Sequence, residues 1–357
     1  MSESDQIELK EILSQHTKVG ELFRDTDDGR IECYACGHRC KIGEGKDGIC
    51  KIRFNRGGRL FVPWGYVSSL ALDPIEKKPF FHAMPGSTAM SFGMLGCDFH
   101  CSFCQNWITS QTLRDPHSIS SIEIVSPEEI IALAQKHGAH VVTSTYNEPL
   151  ITSEWAVEIF KLARQKKIIT SYVSNGNGTP EVVEYLSPWL DLFKIDLKGF
   201  NDKRYRELGG VLSNVLDTIK LAYKKKFWIE IVTLIVPDFN DSEDELKDIA
   251  EFIKSVSPEI PWHVTAFHGD YKMDNIKYTP VEKIIRAVEI GRAAGLHYVY
   301  AGNILGGVRN YENTYCYKCG ESLIERKGFR VIKNRLKEGG CTKCGSMIPG
   351  FWKNLHS

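Results

Sequence analysis

The sequence lacks an excess of either charge, because 45 Lys and Arg residues stand against 45 Asp and Glu residues over 357 positions. A protein that coats nucleic acid with its whole surface is therefore excluded, since such binding needs a large positive field. Any basic surface that meets a partner must be local.

Long apolar runs are also missing. The most apolar stretch, residues 227–236, is interrupted by Glu230, and it is far shorter than the roughly 20 residues of a membrane-spanning helix. The first ten residues are polar and acidic, whereas a signal peptide is cationic and then apolar. These features predict a cytoplasmic protein with no membrane partner.

Cysteine is abundant by contrast. Eleven cysteines without a secretory signal indicate metal or redox chemistry rather than a disulfide framework, because the cytosol keeps thiols reduced. They fall into three sets along the chain: an N-terminal set (Cys33, Cys36, Cys40, Cys50), a central set (Cys97, Cys101, Cys104) and a C-terminal set (Cys316, Cys319, Cys341, Cys344).

Short apolar runs alternate with capped helical segments in the middle of the chain. Ser126 with Glu129, and Ser242 with Glu245, match the capping box of a helix N-terminus. Alternating strands and helices predict an α/β fold of parallel strands with right-handed crossovers, and chemistry in the loops after the strands. The predicted strands are 91–95, 141–146, 168–173, 192–197, 228–236, 263–267 and 298–301.

Three domains are expected. Residues 1–90 would form a Cys-rich cap, residues 91–303 the α/β core, and residues 304–357 a metal-binding unit with two CxxC motifs. Residues 316–357 contain nine Lys or Arg and three Glu, a local charge of +6. The C-terminal unit is therefore the basic part of the chain.

The central set has the spacing CxxxCxxC and directly follows the first predicted strand. Three thiolates on one short loop can bind three irons of a [4Fe–4S] cluster and leave the fourth iron without a protein ligand. A three-cysteine zinc site and free buried cysteines are the alternatives.

With this motif ahead of alternating strands and helices, the sequence resembles the radical S-adenosylmethionine (radical SAM) superfamily. The resemblance implies an α/β fold of the partial (βα)6 TIM-like barrel type. It also implies that Cys97, Cys101 and Cys104 are the catalytic cluster ligands. The open iron would then bind S-adenosylmethionine (SAM), and reductive cleavage would generate a 5′-deoxyadenosyl radical that abstracts hydrogen from a substrate.

The same resemblance implies SAM-binding residues at the strand ends. Phe103 would meet the adenine, Glu148 would accept the ammonium group of SAM, and Lys198 would meet its carboxylate. The alternatives are a core aromatic, a helix N-cap and a strand-end ion pair. The implied cofactor-binding residues are Phe103, Tyr146, Asn147, Glu148, Ser174, Asn175, Asp196, Lys198 and His268.

A closer match runs from about residue 31 to 352 and includes the segments DPIEKKPFFHAMPGS, GCDFHCSFCQNW and TYNEP. With these segments the sequence resembles the radical SAM proteins of the AmmeMemoRadiSam system, a branch near the pyruvate formate-lyase activating enzymes. This resemblance implies an activating-enzyme-like oxidoreductase of the EC 1.97 type, with Memo-like and AMMECR-type proteins as partners. Asp98 departs from the Asn that usually follows the first cysteine in this branch.

The two flanking cysteine sets have the ligand count of closed four-thiolate sites. A glycine-rich gap before Cys50 lets the N-terminal set close around structural zinc or an auxiliary iron–sulfur cluster, and His38 could replace one ligand. The C-terminal set forms two CxxC knuckles that resemble those of rubredoxins and zinc ribbons. Zinc and iron both accept such a tetrahedral site.

Two hypotheses for function follow. The first is a radical SAM enzyme that receives an electron from a donor and acts on an unidentified protein, RNA or metabolite. The alternative is a non-catalytic metal-binding adaptor whose basic C-terminal unit docks RNA or an acidic protein.

Overall fold

One helix and seven short strands precede the main sheet of the computed structural model, which describes residues 3–353. The ends of the two outer domains, residues 1–2 and 354–357, lie outside the described residues. Two small antiparallel sheets form here, in the orders β1-β6-β5 and β2-β3-β4. The elements are α1 (Glu3–Gln15), β1 (Thr17–Val19), β2 (Phe23–Asp25), β3 (Ile31–Cys33), β4 (Lys41–Ile42), β5 (Phe54–Arg56), β6 (Arg59–Pro63) and β7 (Tyr66–Val67).

The main sheet contains all seven strands that the alternating pattern predicts. The strands of this part of the chain are β8 (Ser69–Pro74), β9 (Thr88–Gly93), β10 (Glu123–Ile124), β11 (Val141–Ser144), β12 (Ile169–Ser174), β13 (Leu192–Asp196), β14 (Trp228–Ile235), β15 (Trp262–Ala266) and β16 (Val299–Gly302). The sheet order is β8-β9-β11-β12-β13-β14-β15-β16, and β10 pairs with β7 outside it. Strands β9 to β16 of the sheet run parallel, whereas β8 runs antiparallel to β9.

Helices connect the parallel strands, as expected for β/α crossovers. They are α2 (Trp107–Ser110), α3 (Pro127–Lys136), α4 (Ser153–Gln165), α5 (Pro180–Leu186), α6 (Asp202–Glu207), α7 (Leu212–Lys224), α8 (Glu243–Val256) and α9 (Val281–Ala294). No pairing joins the edge strands β8 and β16 among the described residues, so the sheet is open.

Only one of the two predicted capping boxes is complete. At the start of α3, Ser126 Oγ accepts from the Glu129 N–H, and Glu129 accepts from the Ser126 N–H at 2.7 Å. At the start of α8, Ser242 Oγ accepts from the Glu245 N–H. The Glu245 carboxylate instead accepts from the Phe200 N–H at 2.6 Å, because a tertiary contact competes with the local one.

The C-terminal unit packs on the main sheet through a shared core. Its strands are β17 (Thr314–Tyr315), β18 (Ser322–Lys327) and β19 (Arg330–Asn334), in one antiparallel sheet. Leu323 and Ile324 of this unit bury their side chains with Phe81, Tyr298 and Tyr300 of the main body. The unit is therefore joined to the rest of the chain by apolar burial, the dominant favourable term in folding.

Across residues 3–353, none of the helices has both the length and the apolar character that a membrane crossing requires.

A buried ion pair ties the N-terminal region to the α/β core. Arg53 and Glu154 form two hydrogen bonds of 2.7 Å, and their side chains are 1% and 2% exposed. Glu154 also accepts from the Glu21 and Leu22 N–H groups, each at 3.3 Å. A charge left alone in such a place is strongly destabilising.

We expect Glu154→Gln to lower the free energy of unfolding by about 3–5 kcal/mol, because it leaves the Arg53 guanidinium buried without a counter-charge. Glu158→Gln on the same helix is the control, since Glu158 pairs with Lys161 at the surface. The control should change stability by less than about 1 kcal/mol. Urea denaturation measures both, and equal shifts in the two variants would contradict the assignment.

Candidate functional site

A cavity of about 390 Å³ lies against the inner face of the sheet and extends to the carboxyl ends of its strands. Five neighbouring parallel strands, β12 to β16, contribute to its wall, and so does the loop after β11. Because one cavity touches five adjacent strands, the sheet curves around it. In α/β folds such strand ends are the usual place for ligands.

The central cysteine set lies on the loop that follows β9. Cys101 and Cys104 line the cavity, whereas Cys97 lies beside it, with its Sγ 4.0 Å from Asn175 Nδ2. Burial raises the pKa of all three thiols, that of Cys101 to about 12. Free thiols here are therefore protonated at neutral pH, and thiolates at this place require a bound metal.

Three charged side chains alternate along β13 and its end, and all three face the cavity. Asp196 pairs with Lys194, and it accepts from Lys198 Nζ at 3.1 Å. Although burial opposes ionisation, the charges of Lys194 and Lys198 lower the pKa of Asp196 to about 2. Burial likewise opposes the charge of Lys198, but Asp196 and Cys101 raise its pKa. Asp196 and Lys198 are therefore ionised at neutral pH, whereas burial lowers the pKa of Lys194.

Tyr146 begins the loop after β11 and has a left-handed backbone, with φ 71°. Its hydroxyl donates to Asp73 at 2.9 Å and accepts from Lys78 Nζ at 3.0 Å. Lys78 Nζ also donates to Asp73 at 2.7 Å. A strained non-glycine residue is frequent at functional sites, and this one holds its side chain in the cavity wall.

Glu148 lies behind the cavity wall rather than on it. Its carboxylate accepts from Ser174 Oγ at 2.6 Å, from the Asn175 N–H at 2.8 Å and from the Leu150 N–H at 3.0 Å. Burial and the neighbouring Asp98 charge raise the pKa of Glu148 to about 8. The carboxyl group therefore holds the ends of β11 and β12 together.

Asp98 is fully buried next to Cys97. Its carboxylate accepts from Asn175 Nδ2 at 2.7 Å and from Asn177 Nδ2 at 2.8 Å. The nearest ring nitrogen, His38 Nε2, is 4.0 Å away. Asp98, which stands where the resembled branch usually has Asn, is thus held by two side-chain amides.

The nine cofactor-binding residues implied by the resemblance fall into two groups. Those that line the cavity are Phe103, Tyr146, Asp196 and Lys198. Those that lie outside its lining are Asn147, Glu148, Ser174, Asn175 and His268. In the second group, Asn147 Oδ1 accepts from the Met94 N–H at 3.1 Å, and His268 is half-buried at the start of the loop after β15.

Several cavity residues were missed by sequence reasoning. The sequence pattern could have identified Lys194, because it lies two positions before Asp196 on a strand and so shares the face of Asp196. Lys78 had a weaker signal, as a charged residue within the segment DPIEKKP. Phe329, at the turn between β18 and β19, had none, because it reaches the cavity from the distant C-terminal unit.

The C-terminal cysteine set converges on one point. Its four sulfurs all lie within 4.8 Å of one another, with Cys316 and Cys344 Sγ 3.6 Å apart and Cys319 and Cys341 Sγ 3.7 Å apart. Tetrahedral ligands at a zinc–sulfur distance of 2.3 Å stand about 3.8 Å apart. The set can therefore bind one zinc or iron ion.

The N-terminal cysteine set is more widely spaced. Cys33, Cys36 and Cys50 are buried and Cys40 is half-buried. Among the described residues, no three of these sulfurs lie within 4.8 Å of one another. The three sulfurs of the central set do not all lie within 4.8 Å of one another either.

Comparison with known proteins gives consistent matches. The Radical SAM superfamily matches residues 93–253. An uncharacterized protein of Methanocaldococcus jannaschii is 37% identical over 331 residues, which are 92% of this chain and 97% of that protein. The pyruvate formate-lyase-activating enzyme of Clostridium pasteurianum is 25% identical over 219 residues, which are 56% of this chain and 87% of that enzyme.

A solved domain of a pyruvate-formate lyase-activating enzyme from Bacteroides vulgatus is also similar. The match has a TM-score of 0.40 and 21% identity, and it covers 45% of this chain and 98% of that domain.

We expect Cys319→Ser to remove one equivalent of zinc, or of iron without sulfide, from the C-terminal set, because one missing thiolate opens a closed tetrahedral site. Loss of the metal should also lower the thermal unfolding temperature. Thr342→Ala is the control, since Thr342 is exposed within the same knuckle. Elemental analysis with thermal denaturation measures both effects, and unchanged metal content in Cys319→Ser would refute the site.

Proposed function

Because the chain belongs to the radical SAM superfamily, we propose that it is an enzyme whose cysteines Cys97, Cys101 and Cys104 bind a [4Fe–4S] cluster for reductive cleavage of SAM. When bound, the cluster and SAM supply a 5′-deoxyadenosyl radical that abstracts hydrogen from a substrate. The observation that carries the proposal is that Cys101 and Cys104 of the central loop line the same cavity as Asp196 and Lys198.

The residues around the central set fit such a cluster. The Phe99 N–H donates to Cys97 Sγ at 3.3 Å, and Ser110 Oγ lies 3.2 Å from Cys104 Sγ. Hydrogen bonds to sulfur stabilise thiolate ligands and tune cluster potential. Burial raises the pKa of the Cys101 thiol, but the Lys198 charge opposes that rise and so acts in the same direction as these hydrogen bonds.

Two buried carboxylates support a site for the ammonium group of SAM. No Lys or Arg of residues 3–353 forms an ion pair with Asp98 or Glu148. A buried carboxylate without a cation is unfavourable, and burial with the Asp98 charge raises the pKa of Glu148 to about 8. A carboxylate has about four acceptor positions, so Glu148 keeps one beyond its three internal hydrogen bonds. An ammonium group near these residues would favour the ionised form of Glu148 and would pair with both carboxylates.

The cavity walls provide the remaining contacts that SAM needs. Phe103 offers an apolar face for the adenine, and Lys198 offers a cation for the carboxylate of SAM. Phe81 and Phe329 line the cavity as well, so they exclude water from the reacting groups. Ser174 and Asn175 hold Glu148 in place, which makes them positioning residues in this proposal, together with Asn147.

The substrate remains a protein, an RNA or a small metabolite. Similarity to activating enzymes supports an oxidoreductase of the EC 1.97 type, and the segments shared with the AmmeMemoRadiSam branch support Memo-like and AMMECR-type partners. A separate electron donor is required with any of these substrates.

We assign residues 1–90 as the cap, 91–303 as the catalytic core and 304–357 as the metal unit. Eleven free cysteines favour a reducing cytoplasmic location.

The adaptor hypothesis gains no support from the C-terminal unit. Arg326 is buried and faces Glu76, with a nitrogen–oxygen distance of 3.7 Å. Arg335 pairs with Glu325, and Lys343 pairs with Glu321. Glu321 and Glu325 are already counted in the local charge of +6, whereas Glu76 of the main body neutralises one further positive charge, that of Arg326.

We expect Cys97→Ala, Cys101→Ala and Cys104→Ala each to abolish 5′-deoxyadenosine release on reduction with dithionite in the presence of SAM. Each change removes one of only three protein ligands to the cluster. Cys344→Ala is the control, because it alters the C-terminal set and leaves the central one intact. Wild-type levels of 5′-deoxyadenosine in any one of the three variants would refute the proposal.

We expect Lys198→Met to weaken SAM binding about tenfold, a loss of about 1.4 kcal/mol, because the carboxylate of SAM loses its cation. Iron content should stay at the wild-type level. Lys203→Met is the control, since Lys203 is exposed on α6. Equilibrium binding of SAM to the anaerobic protein measures the effect, and equal affinity in both variants would contradict the role of Lys198.

A further inference from the structure

The N-terminal cysteine set is assembled from two contacting pairs. The Cys33 N–H donates to the Cys40 carbonyl at 2.9 Å, which places these two residues opposite each other. Cys36 and Cys50 pack together in a small buried cluster with Ile52 and Ile151. Four thiols from a stretch of 18 residues are thus gathered in the protein interior.

The spacing of the sulfurs distinguishes the kinds of metal group. A single tetrahedral ion needs four sulfurs about 3.8 Å apart, and the C-terminal set has this arrangement. A [4Fe–4S] cluster takes one thiolate at each iron, so its sulfurs stand farther apart. Among the described residues, no three sulfurs of the N-terminal set lie within 4.8 Å of one another, so the set does not have the arrangement of a single-ion site.

One backbone N–H group points at a sulfur of the N-terminal set. The Ile49 N–H donates to Cys40 Sγ at 3.4 Å, a contact of the same kind as that between Phe99 and Cys97 in the central set. His38 lies between Cys36 and Cys40, yet its Nε2 is buried, 4.0 Å from Asp98 Oδ2, and makes no hydrogen bond. His38 Nε2 therefore faces Asp98 of the central loop.

The N-terminal set lies directly against the loop of the central set. Gly37, next to Cys36, donates its N–H to the Asn177 carbonyl at 2.7 Å. A Cβ atom at Gly37 would come within 2.5 Å of Asn177 Oδ1, so this approach requires glycine. Gly96 precedes Cys97, has φ 91°, and a Cβ atom there would lie 3.1 Å from the Cys50 carbonyl oxygen. The two cysteine loops therefore meet directly at Gly96 and Cys50. Asn177, on the loop after β12, joins them a second time, because its Nδ2 donates to Asp98 of the central loop at 2.8 Å.

We infer that Cys33, Cys36, Cys40 and Cys50 bind a second [4Fe–4S] cluster, held against the loop that carries Cys97. This inference relies on the proposed function only for the identity of the metal group that the central set binds next to it. The C-terminal set takes a single ion and has no part in it.

The test uses the full-length chain with Cys97→Ala, Cys101→Ala and Cys104→Ala combined. After anaerobic reconstitution with iron and sulfide, this triple variant should retain about four irons and four acid-labile sulfides per chain. Reduction with dithionite should give a [4Fe–4S] signal in electron paramagnetic resonance. Adding Cys36→Ser and Cys50→Ser should remove the sulfide and the signal. Adding Cys316→Ser and Cys319→Ser instead, as the matched control, should leave both unchanged.

Zinc or a single iron without sulfide in the triple variant would overturn the inference. The wild-type protein gives an independent reading if a multiple variant does not fold. About eight sulfides per chain would support two clusters, and about four would refute the second. A wild-type protein that retains eight sulfides but does not cleave SAM would refute the proposed function and leave this inference standing. A wild-type protein that cleaves SAM but contains only about four sulfides per chain would refute this inference and leave the proposed function standing.

Discussion

The ion pairs of Asp196 with Lys194 and Lys198 hold three charges on the inner face of β13. An unpaired charge at this depth would be costly, because the sheet and its surroundings replace the water that would solvate it. The inner face of the sheet borders the cavity, where apolar residues such as Val173 and Leu234 adjoin this row. Two lysines against one aspartate make the row basic. A positive wall beside Cys101 suits a group that carries thiolates and a carboxylate.

The outer parts of the chain complete this cavity from both sides. The segment between β8 and β9 contributes Glu76, Lys78 and Phe81 to its wall. The C-terminal unit contributes Phe329, and Arg326 faces Glu76 as its counter-charge. The cavity therefore depends on three separate parts of the sequence.

The sequence predicts the central strands well because alternation of strands and helices is a local pattern. The C-terminal set was also predictable, since two CxxC motifs need little context to meet. The incomplete capping box at the start of α8 could not be predicted. The Glu245 carboxylate binds the Phe200 N–H instead, and Phe200 lies more than 40 residues away in the sequence. The role of Phe329 was equally hidden, because only tertiary packing brings a hairpin from the C-terminal unit to the sheet. The position of Glu148 behind the wall depends on the register of β11 and β12, which the motif TYNEP does not encode.

The core that the C-terminal unit shares with Phe81, Tyr298 and Tyr300 also constrains how the chain can evolve. These large side chains are covered by Leu323 and Ile324, so loss of the unit would uncover a contiguous apolar surface. A lineage that discards the two knuckles must therefore replace those aromatic residues or cover them with another subunit. Gain or loss of the unit is a coordinated change, and substitutions at Phe81, Tyr298 and Tyr300 should accompany it across the family.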